Sequence, residues 1–280
     1  MVNSVITRVG GKYLLRDIIC KHLLKTKIYA ETFGGAAWIL LYKDKTEVEI
    51  YNDADSQLYT FFKVIRDKPE ELLYKIEVSM YSREMFCELK TSMPTNDIDK
   101  AFRFYYMNQT CFGGKVKGQV FGYGKDRPPT FHKYEKLIQV AERFKNIIIE
   151  NLPYLDFIER YDAKDTLFYN DPPYYGSENL YSIVFTDKDH VKLSEILKNI
   201  KGKFLLSYND CKKIRGIYKD YHIMKVDSQE SIEKLDGQAR QIRHELLIAN
   251  YDFEEVTMPL FTGTPDCFSV GNPKLEVSYE

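Results

Sequence analysis

Residues 170–175 place a carboxylate, two prolines and two tyrosines directly after an apolar run of the chain. That run, residues 166–169, predicts a buried strand, so the carboxylate follows the carboxyl end of a strand, where open α/β sheets bind their ligands. The prolines fix their φ angles and lack N–H donors, so they make a stiff turn that leaves the sheet. Such a turn would hold the Asp171 carboxylate, the Pro172 carbonyl and the Tyr174 ring in one geometry.

These three groups suit a reaction at the amino group of an aromatic base. Such an amino group is a poor nucleophile because its lone pair is delocalised into the ring. Two acceptors, Asp171 and the Pro172 carbonyl, can take its two N–H hydrogens, which favours a more tetrahedral nitrogen, and Tyr174 can stack on the base. The structural alternative is a proline-stiffened turn whose aspartate caps a neighbouring helix.

Length and composition are typical of one large domain, or of one domain that carries a sizeable insertion. The chain has 280 residues, of which 44% are hydrophobic and 29% are charged. Its 40 basic and 41 acidic residues give a net charge of −1, so a nucleic-acid ligand would require locally gathered positive charge. The five cysteines form no CxxC pair, no Cys–His spacing indicates a metal site, and no stretch predicts a signal peptide or membrane span. We therefore expect a cytoplasmic protein without a metal.

Residues 1–57 predict the opening of an α/β unit that binds a cofactor. A glycine pair that ends in Gly11 precedes Lys12 and a predicted amphipathic helix, whose apolar face runs from Leu14 to Leu23. Two glycines let the backbone approach an anionic ligand closely, with the lysine beside it. An ordinary loop before a helix is the alternative.

A strand, a turn of small residues and a helix come next. Residues 27–30 predict the strand, the turn contains Phe33, Gly34 and Gly35, and helix begins at residue 38. This order is the arrangement of a nucleotide-type cofactor site.

A second strand, predicted over residues 48–51, leads to two acidic residues. An acid at the end of this strand is placed to bind a ribose diol, and Asp53 is the candidate. Asp55 is predicted to cap the helix that follows.

Residues 58–145 predict an inserted, mostly helical segment, because helical patterns continue there without strong strand alternation. Within it, residues 108–129 carry five glycines and four cations against one aspartate. This basic loop or hairpin would meet DNA phosphates with its cations and base edges with its polar side chains, whereas a Gly-rich surface loop is the alternative. The candidate DNA contacts are Asn108, Lys115, Lys117, Gln119, Lys125 and Arg127.

Residues 146–251 return to an α/β pattern. Strands are predicted at residues 146–150, 166–169, 203–207, 221–226 and 245–251, and an amphipathic helix is predicted over residues 188–200. Arg240 lies in a polar loop between the last two strands, as either a second DNA-backbone contact or part of a charged surface. Residues 252–280 carry three prolines without clear periodicity, so an irregular C-terminal extension is expected.

With these motifs in this order, the chain resembles the Dam-type (D12 class) DNA adenine N6-methyltransferases over residues 5–251. The resemblance rests on Gly-Gly-Lys at 10–12, Glu-Thr-Phe-Gly-Gly at 31–35, Asn-Asp-Ala-Asp at 52–55, the Gly-rich loop at 108–129, Asp-Pro-Pro-Tyr at 171–174 and Glu-Leu-Leu at 245–247. The order of cofactor motif, recognition segment and catalytic motif is that of the α group of amino-methyltransferases.

The resemblance implies an α/β protein with a Rossmann-like, mostly parallel seven-stranded methyltransferase sheet and an inserted target-recognition domain. The methyl donor would be S-adenosylmethionine, and the acceptor would be N6 of an adenine flipped out of double-stranded DNA. The implied catalytic residues are Asp171, Pro172 and Tyr174, and the implied cofactor-binding residues are Arg8, Gly11, Lys12, Phe33, Gly34, Gly35, Asp53 and Asp171.

Two positions depart from the family pattern. Arg8 stands where the family often has an aromatic residue that packs on the cofactor adenine, so that stacking contact would differ. Ala37 stands where the family has a second glycine, and its methyl group would crowd the turn.

Four alternatives compete with methylation of adenine in DNA. N4-cytosine methylation faces the same amino-group chemistry, but resembling enzymes mostly carry serine in place of Asp171, and RNA is a weaker candidate than DNA. A catalytically inactive DNA-binding relative fits poorly with the intact motifs, and a nicotinamide-dependent dehydrogenase would need a GxGxxG that the sequence lacks. A cognate restriction endonuclease is a candidate partner, and a monomer or weak dimer is expected.

Overall fold

The computed structural model describes residues 1–8, 10–111, 119–122, 131–178, 184–229 and 242–257. Within these ranges seven strands form one sheet. Their bounds are β1 Ile28–Glu31, β2 Val48–Asn52, β3 Ile147–Glu150, β4 Thr166–Asn170, β5 Lys203–Asn209, β6 His222–Gln229 and β7 Ile242–Ala249. The seven strands predicted from the sequence are confirmed, and their ends differ from the prediction by at most three residues.

The strand order in the sheet is β3-β2-β1-β4-β5-β7-β6. The first five strands pair in parallel, and β7 lies antiparallel between β5 and β6. The chain builds outward from β1 in one direction and then from β4 in the other. This reversal leaves a crevice at the carboxyl ends of β1 and β4. The mostly parallel, seven-stranded sheet predicted above is therefore confirmed.

Six short or medium helices accompany the sheet. They are α1 Arg16–Lys21, α2 Trp38–Tyr42, α8 Tyr154–Tyr161, α9 Asp187–Asn199, α10 Lys212–Ile217 and α11 Glu254–Thr257. The amphipathic helix predicted after the glycine turn is confirmed as α1, with Leu15 and Ile19 buried, but its predicted face from Leu14 to Leu23 was too long, since α1 is shorter and Leu14 is 45% exposed. The chain is still turning before α1, where the amide of Leu15 donates to the carbonyl of Lys12 at 3.2 Å. Within the predicted irregular C-terminal extension, Glu254–Thr257 form α11, which corrects the prediction at these residues. Residues 258–280 of that extension lie outside the described residues.

In the described part of the chain between β2 and β3, five helices are present. They are α3 Ser56–Asp67, α4 Pro69–Glu77, α5 Arg83–Thr91, α6 Asp97–Thr110 and α7 Tyr134–Phe144. Tyr51 of β2 packs on Phe62 of α3 with ring centroids 4.9 Å apart, and Phe62 stacks on Phe144 of α7 at 4.5 Å. This aromatic packing joins the inserted helices to the sheet, and the domain boundaries proposed from the sequence stay predictions.

Two apolar cores lie on the two faces of the sheet, because successive side chains of a strand point to opposite sides. Leu167 and Tyr169 of β4 belong to the larger core, which also contains the inserted helices. Phe168 belongs to the second core, beneath α8, α9 and α10. Within the described ranges, no helix is long and apolar enough to span a membrane.

Candidate active site

A cavity of about 350 Å³ opens at the carboxyl ends of β1, β2 and β4. Its walls come from the turns after these strands, from the N-terminal glycine turn and from the segment that leads into α8. The volume lies within the range of about 300–1,000 Å³ that small-molecule sites occupy. The cavity therefore lies where the strand order predicts a ligand.

Asp53, just beyond β2, lines this cavity and is 8% exposed. Its Oδ2 accepts from the amide of Gly35 at 2.8 Å, and its Oδ1 accepts from the amide of Asp55 at 2.8 Å. Burial raises the pKa of Asp53, although the nearby Arg8 guanidinium and the two amides oppose that effect. A carboxylate has roughly four acceptor positions, so Asp53 keeps capacity for a ligand hydroxyl.

The turn between β1 and α2 fits closely against β2. A Cβ added at Gly34 would lie 2.2 Å from the ring of Tyr51, so this position requires glycine. Gly35 has a φ of +51° and Ala37 a φ of +56°, both in the left-handed region. Alanine in place of the family's second glycine therefore adds backbone strain at residue 37, because its φ is left-handed. Its methyl group is fully buried in the core.

Arg8 lines the same cavity beside Asp53. Its Nη2 lies 2.7 Å from Oδ2 of Asp55, and Asp55 also accepts from the amide of Gln57 at 3.0 Å, which confirms Asp55 as the cap of α3. A Cβ added at Gly11 would lie 3.1 Å from the Arg8 carbonyl and 3.1 Å from Nε1 of Trp38. Glycine at this position thus lets the N-terminal turn pack against α2.

Lys12 and Asp171 form an ion pair at the cavity wall. Lys12 Nζ lies 2.7 Å from Asp171 Oδ1 and donates to the carbonyl of Gly10 at 2.9 Å. Ser207 of β5 donates to the same Oδ1 at 2.9 Å. Burial raises the pKa of Asp171, and the attraction of Lys12 opposes this rise.

Tyr174 is held in place by Glu245 and lies next to Lys12. Its hydroxyl donates a short hydrogen bond to Oε2 of Glu245 in β7, and Lys12 Nζ lies 4.7 Å from its ring centroid. The Lys12 ammonium also lies 4.0 Å from the same Glu245 oxygen. Pro172 is buried beside these groups, so the predicted catalytic residues are brought together.

Aromatic side chains form another wall of the cavity. The ring of Phe33 stacks on Tyr154 with centroids 5.6 Å apart and meets Phe185 edge-on at 5.9 Å. All three line the cavity. They offer an apolar surface to a ligand.

Glu31, at the end of β1, is a carboxyl group that lines the cavity and is 2% exposed. Burial raises its pKa to about 8, although the Tyr29 hydroxyl donates to it at 2.7 Å. The neighbouring Thr32 hydroxyl is buried and has no hydrogen-bond partner among the described residues. Both groups can meet polar atoms of a ligand. Within the described ranges, no group of three or more His, Cys, Asp or Glu side chains could hold a metal ion.

Two of the predicted DNA contacts, Asn108 and Gln119, lie among the described residues, and neither lines the cavity. The amide of Asn108 bonds the backbone of Thr7 in both directions, at 2.7 and 3.0 Å, so it joins α6 to the N-terminal segment. Gln119 lies near α5, where its carbonyl accepts from Lys90 at 2.8 Å. Five further candidates lie outside the described residues: Lys115, Lys117, Lys125, Arg127 and Arg240.

Several residues that form or support the site were missed from the sequence. They are Glu31, Thr32, Trp38, Tyr154, Phe185, Ser207 and Glu245. Glu31, Thr32 and Glu245 stand inside the motifs that carry the family resemblance, and that position was a signal for a role. Ser207 follows an apolar run as Asp171 does, and the others gave no signal beyond apolar character.

The sequence model of the D12 class N6 adenine-specific DNA methyltransferases matches residues 9–232, which is more than half of the chain. The chain belongs to this family. It is thus an adenine-specific DNA methyltransferase, as the Asp-Pro-Pro-Tyr motif and its spacing predicted. Cytosine methylation and loss of catalysis are not favoured for a member of the D12 class.

Two relatives match about two thirds or more of the chain. The chain is 27% identical over 197 residues to the type II methyltransferase M.CviBI of Paramecium bursaria Chlorella virus NC1A, covering 67% of this chain and 75% of the relative. It is 26% identical over 259 residues to the DNA adenine methylase of Salmonella typhi, covering 83% and 90%. Among solved structures, the rRNA methyltransferase aviRa from Streptomyces viridochromogenes is similar over 87% of both chains, with 10% identity and a TM-score of 0.35.

Proposed function

We propose that the protein transfers the methyl group of S-adenosylmethionine to N6 of an adenine flipped out of duplex DNA, with Asp171 as the central acceptor. The observation that carries this proposal is the set of contacts at Asp171. Lys12 and Ser207 both bond Oδ1 of the carboxylate, at 2.7 and 2.9 Å, so Oδ2 is left to accept from an amino group. The Pro172 carbonyl is the second acceptor in this proposal, and the Tyr174 ring is the stacking surface.

The residues around the cavity fit the cofactor. Asp53 offers a buried carboxylate to a ribose diol, and Phe33 offers an aromatic wall. Arg8 presents a planar guanidinium, held by Asp55, that can stack on an adenine ring in place of the aromatic residue common in the family. The Gly34–Gly35 turn lets the backbone approach closely, and Gly11 and Lys12 line the opposite wall. When bound, S-adenosylmethionine supplies an activated methyl group on its sulfonium.

On the target side, the chain's task is to orient and polarise the amino group. Two hydrogen bonds to Asp171 and the Pro172 carbonyl turn the nitrogen lone pair out of the base plane and toward the methyl group. The nitrogen must release one proton as it gains the methyl group. Asp171, whose pKa is raised by burial, is a suitable acceptor for that proton.

In this proposal the basic loop contributes to DNA binding, and base flipping is a free-energy cost that contacts in the site must offset. Flipping a base costs a few kcal/mol, which stacking on Tyr174 and the two hydrogen bonds would offset. In this proposal the phosphate contacts are Lys115, Lys117, Lys125, Arg127 and Arg240, and the base-edge contacts are Asn108 and Gln119. A cytoplasmic location, a paired restriction endonuclease and a monomeric or weakly dimeric state stay predictions.

The first test is transfer of a labelled methyl group from S-adenosylmethionine to mixed-sequence duplex DNA, followed by digestion to nucleosides. Label in N6-methyladenine is the expected result. Label in N4-methylcytosine would overturn the base assignment, and label in RNA alone would overturn the DNA assignment. Failure of the purified protein to bind S-adenosylmethionine would overturn the cofactor assignment.

The basic loop has its own test. Replacing Lys115 and Lys117 together by alanine should weaken DNA binding and reduce the slope of log affinity against log salt by about two, since each phosphate contact contributes roughly one. Affinity for S-adenosylmethionine should not change. An unchanged salt slope would remove these lysines from the DNA contacts.

A further inference from the structure

A buried histidine lies behind the loop that follows β4. His190 of α9 is 0% exposed and does not line the cavity. Its Nδ1 lies 2.5 Å from the hydroxyl of Tyr208, and its Nε2 lies 3.0 Å from Oε1 of Glu178. The same Glu178 oxygen accepts from the amide of Gly176 at 2.9 Å. One continuous chain of hydrogen bonds therefore runs from β5 to the end of the loop formed by residues 171–178.

The chemistry of the three groups fixes the direction of this chain. Burial favours the neutral acid, but amide donors and His190 outweigh it and hold the pKa of Glu178 below its usual range. Glu178 is then an ionised carboxylate, which can only accept, so His190 carries its proton on Nε2. With that tautomer Nδ1 accepts from the Tyr208 hydroxyl. Both nitrogens of the neutral imidazole then have a partner of the correct kind.

The imidazole is also fixed by its aromatic neighbours. The ring of Phe185 meets it edge-on at 4.9 Å, and the ring of Tyr175 meets it edge-on at 5.3 Å. Tyr175 belongs to the loop, and Phe185 lines the cavity. A shift of His190 would therefore move both the loop and a cavity wall.

Three consecutive residues of β5 hold the loop at three points. Ser207 donates directly to Asp171 at 2.9 Å, and Asn209 donates to the carbonyl of Tyr175 at 3.0 Å. Tyr208 points to the opposite side of the sheet from Ser207. Its ring packs 6.0 Å from the ring of Tyr174, and its hydroxyl reaches Glu178 through His190. Strand β5 thus holds the loop that carries the acceptors at Asp171, at Tyr175 and, through His190, at Glu178.

We propose that His190, with Tyr208 and Glu178, positions residues 171–178 so that Asp171, Pro172 and Tyr174 keep the geometry needed for methyl transfer. This inference rests on the proposed function of those three residues. None of the three proposed positioning residues touches the reacting atoms. Their effect is on the placement of the loop, and a displacement of about 1 Å at a reacting group can reduce a rate about 100-fold.

The test uses variants that break single links of the chain. Tyr208→Phe removes the hydroxyl that bonds Nδ1, and Glu178→Gln removes the charge that bonds Nε2. Tyr218→Phe is a matched control, because Tyr218 packs 6.1 Å from Tyr208, is fully buried, and has a hydroxyl without a partner within the described ranges. Glu195→Gln is the second control, because Glu195 is an exposed carboxylate on α9, the helix that carries His190.

Each link variant should lower kcat roughly tenfold, while the Kd for S-adenosylmethionine and for DNA stays within about twofold. The double variant should be no slower than the slower single variant, because one broken link already releases the loop. Hydrogen exchange at the Gly176 amide should become faster in both link variants. Both controls should match the wild type in all of these measurements.

Normal kcat in Tyr208→Phe with normal exchange at Gly176 would overturn the proposal. So would an equal loss in Tyr218→Phe, or losses that multiply in the double variant. The exchange measurement does not depend on transfer, so it decides the role of His190 even if the wild type fails to label N6-methyladenine. Failure of the proposed function and failure of this inference can therefore be distinguished.

Discussion

Asp53 and Asp171 are two carboxylates on the same cavity, the first buried and the second partly buried, and they are held in different ways. Asp53 accepts only from backbone amides in the described structure, those of Gly35 and Asp55. Asp171 accepts from two side chains, Lys12 and Ser207. Burial raises the pKa of both.

The difference separates binding from chemistry. A carboxylate held by backbone amides has its position set by the turn, so it suits a ligand group that must be bound in one place. A carboxylate held by a lysine and a hydroxyl has a charge state that depends on those side chains, which suits a group that handles a proton. The two regions should therefore respond differently to substitution.

The largest effect is expected from Asp171→Asn. The amide keeps the shape of the side chain but loses the negative charge that polarises the amino group, so kcat should fall about 10³-fold, as when a key electrostatic contact is removed from an active site. The Kd for S-adenosylmethionine should change little. Single-turnover transfer to duplex DNA measures the first quantity, and equilibrium binding measures the second. Near-normal transfer by this variant would remove Asp171 from catalysis.

Asp53→Asn should weaken cofactor binding and leave the rate of transfer nearly unchanged. Replacing a buried carboxylate acceptor of a diol weakens one or two charge-assisted hydrogen bonds, so the Kd for S-adenosylmethionine should rise on the order of ten- to a hundredfold. At saturating cofactor the kcat should stay within a few-fold of the wild type. An unchanged Kd would mean that the ribose is bound elsewhere on the cavity wall.

Lys12→Met should change the pH dependence of transfer. The pKa of Asp171 is raised by burial and lowered by Lys12, so removing the lysine raises it further. The carboxylate form is the active one, and it is lost as the pH falls through this pKa. The acidic limb of the kcat profile should therefore move to higher pH, with about a tenfold lower rate at neutral pH. The same profile measured on Asp53→Asn is the control and should keep the wild-type limb. An unmoved limb in Lys12→Met would contradict the coupling.

The strands and the two aspartates were predictable because they depend on local patterns. Each apolar run gave a strand, and the acids after the second and fourth strands marked the cavity edge. Asp55 was recognised as a cap because capping depends on residues one turn apart. These features require no knowledge of which strands become neighbours.

Ser207, Glu245 and His190 could not be found in the same way. Ser207 meets Asp171 across 36 positions of sequence, and Glu245 meets Tyr174 across 71. A pattern of alternating residues tells which face a side chain takes, but the partner on that face depends on strand order and register. The length of α1 was mispredicted for a related reason. Lys12 bonds the Gly10 carbonyl and Asp171, and these contacts set the path of the chain before α1.

The smallest effect is expected at Gly35, whose amide holds Asp53. A Cβ there would meet nothing within 4 Å among the described residues, so Gly35→Ala adds only the strain of a left-handed φ of +51°. That strain is about 1–2 kcal/mol, and the loss of freedom in the unfolded chain returns about 0.4–1 kcal/mol. The free energy of unfolding should fall by about 1 kcal/mol, as measured with urea. Ala37, at a φ of +56°, already shows that this turn accepts an alanine in such a conformation.

Gly34→Ala is the matched comparison for that measurement. Its Cβ would meet the ring of Tyr51 at 2.2 Å, so the turn must move and its loss of stability should be several times larger. Because the amide of Gly35 holds Asp53, movement of the turn should also weaken cofactor binding, whereas Gly35→Ala should leave it nearly unchanged. Equal losses of cofactor affinity in the two variants would show that the position of Asp53 does not depend on the packing of this turn against β2.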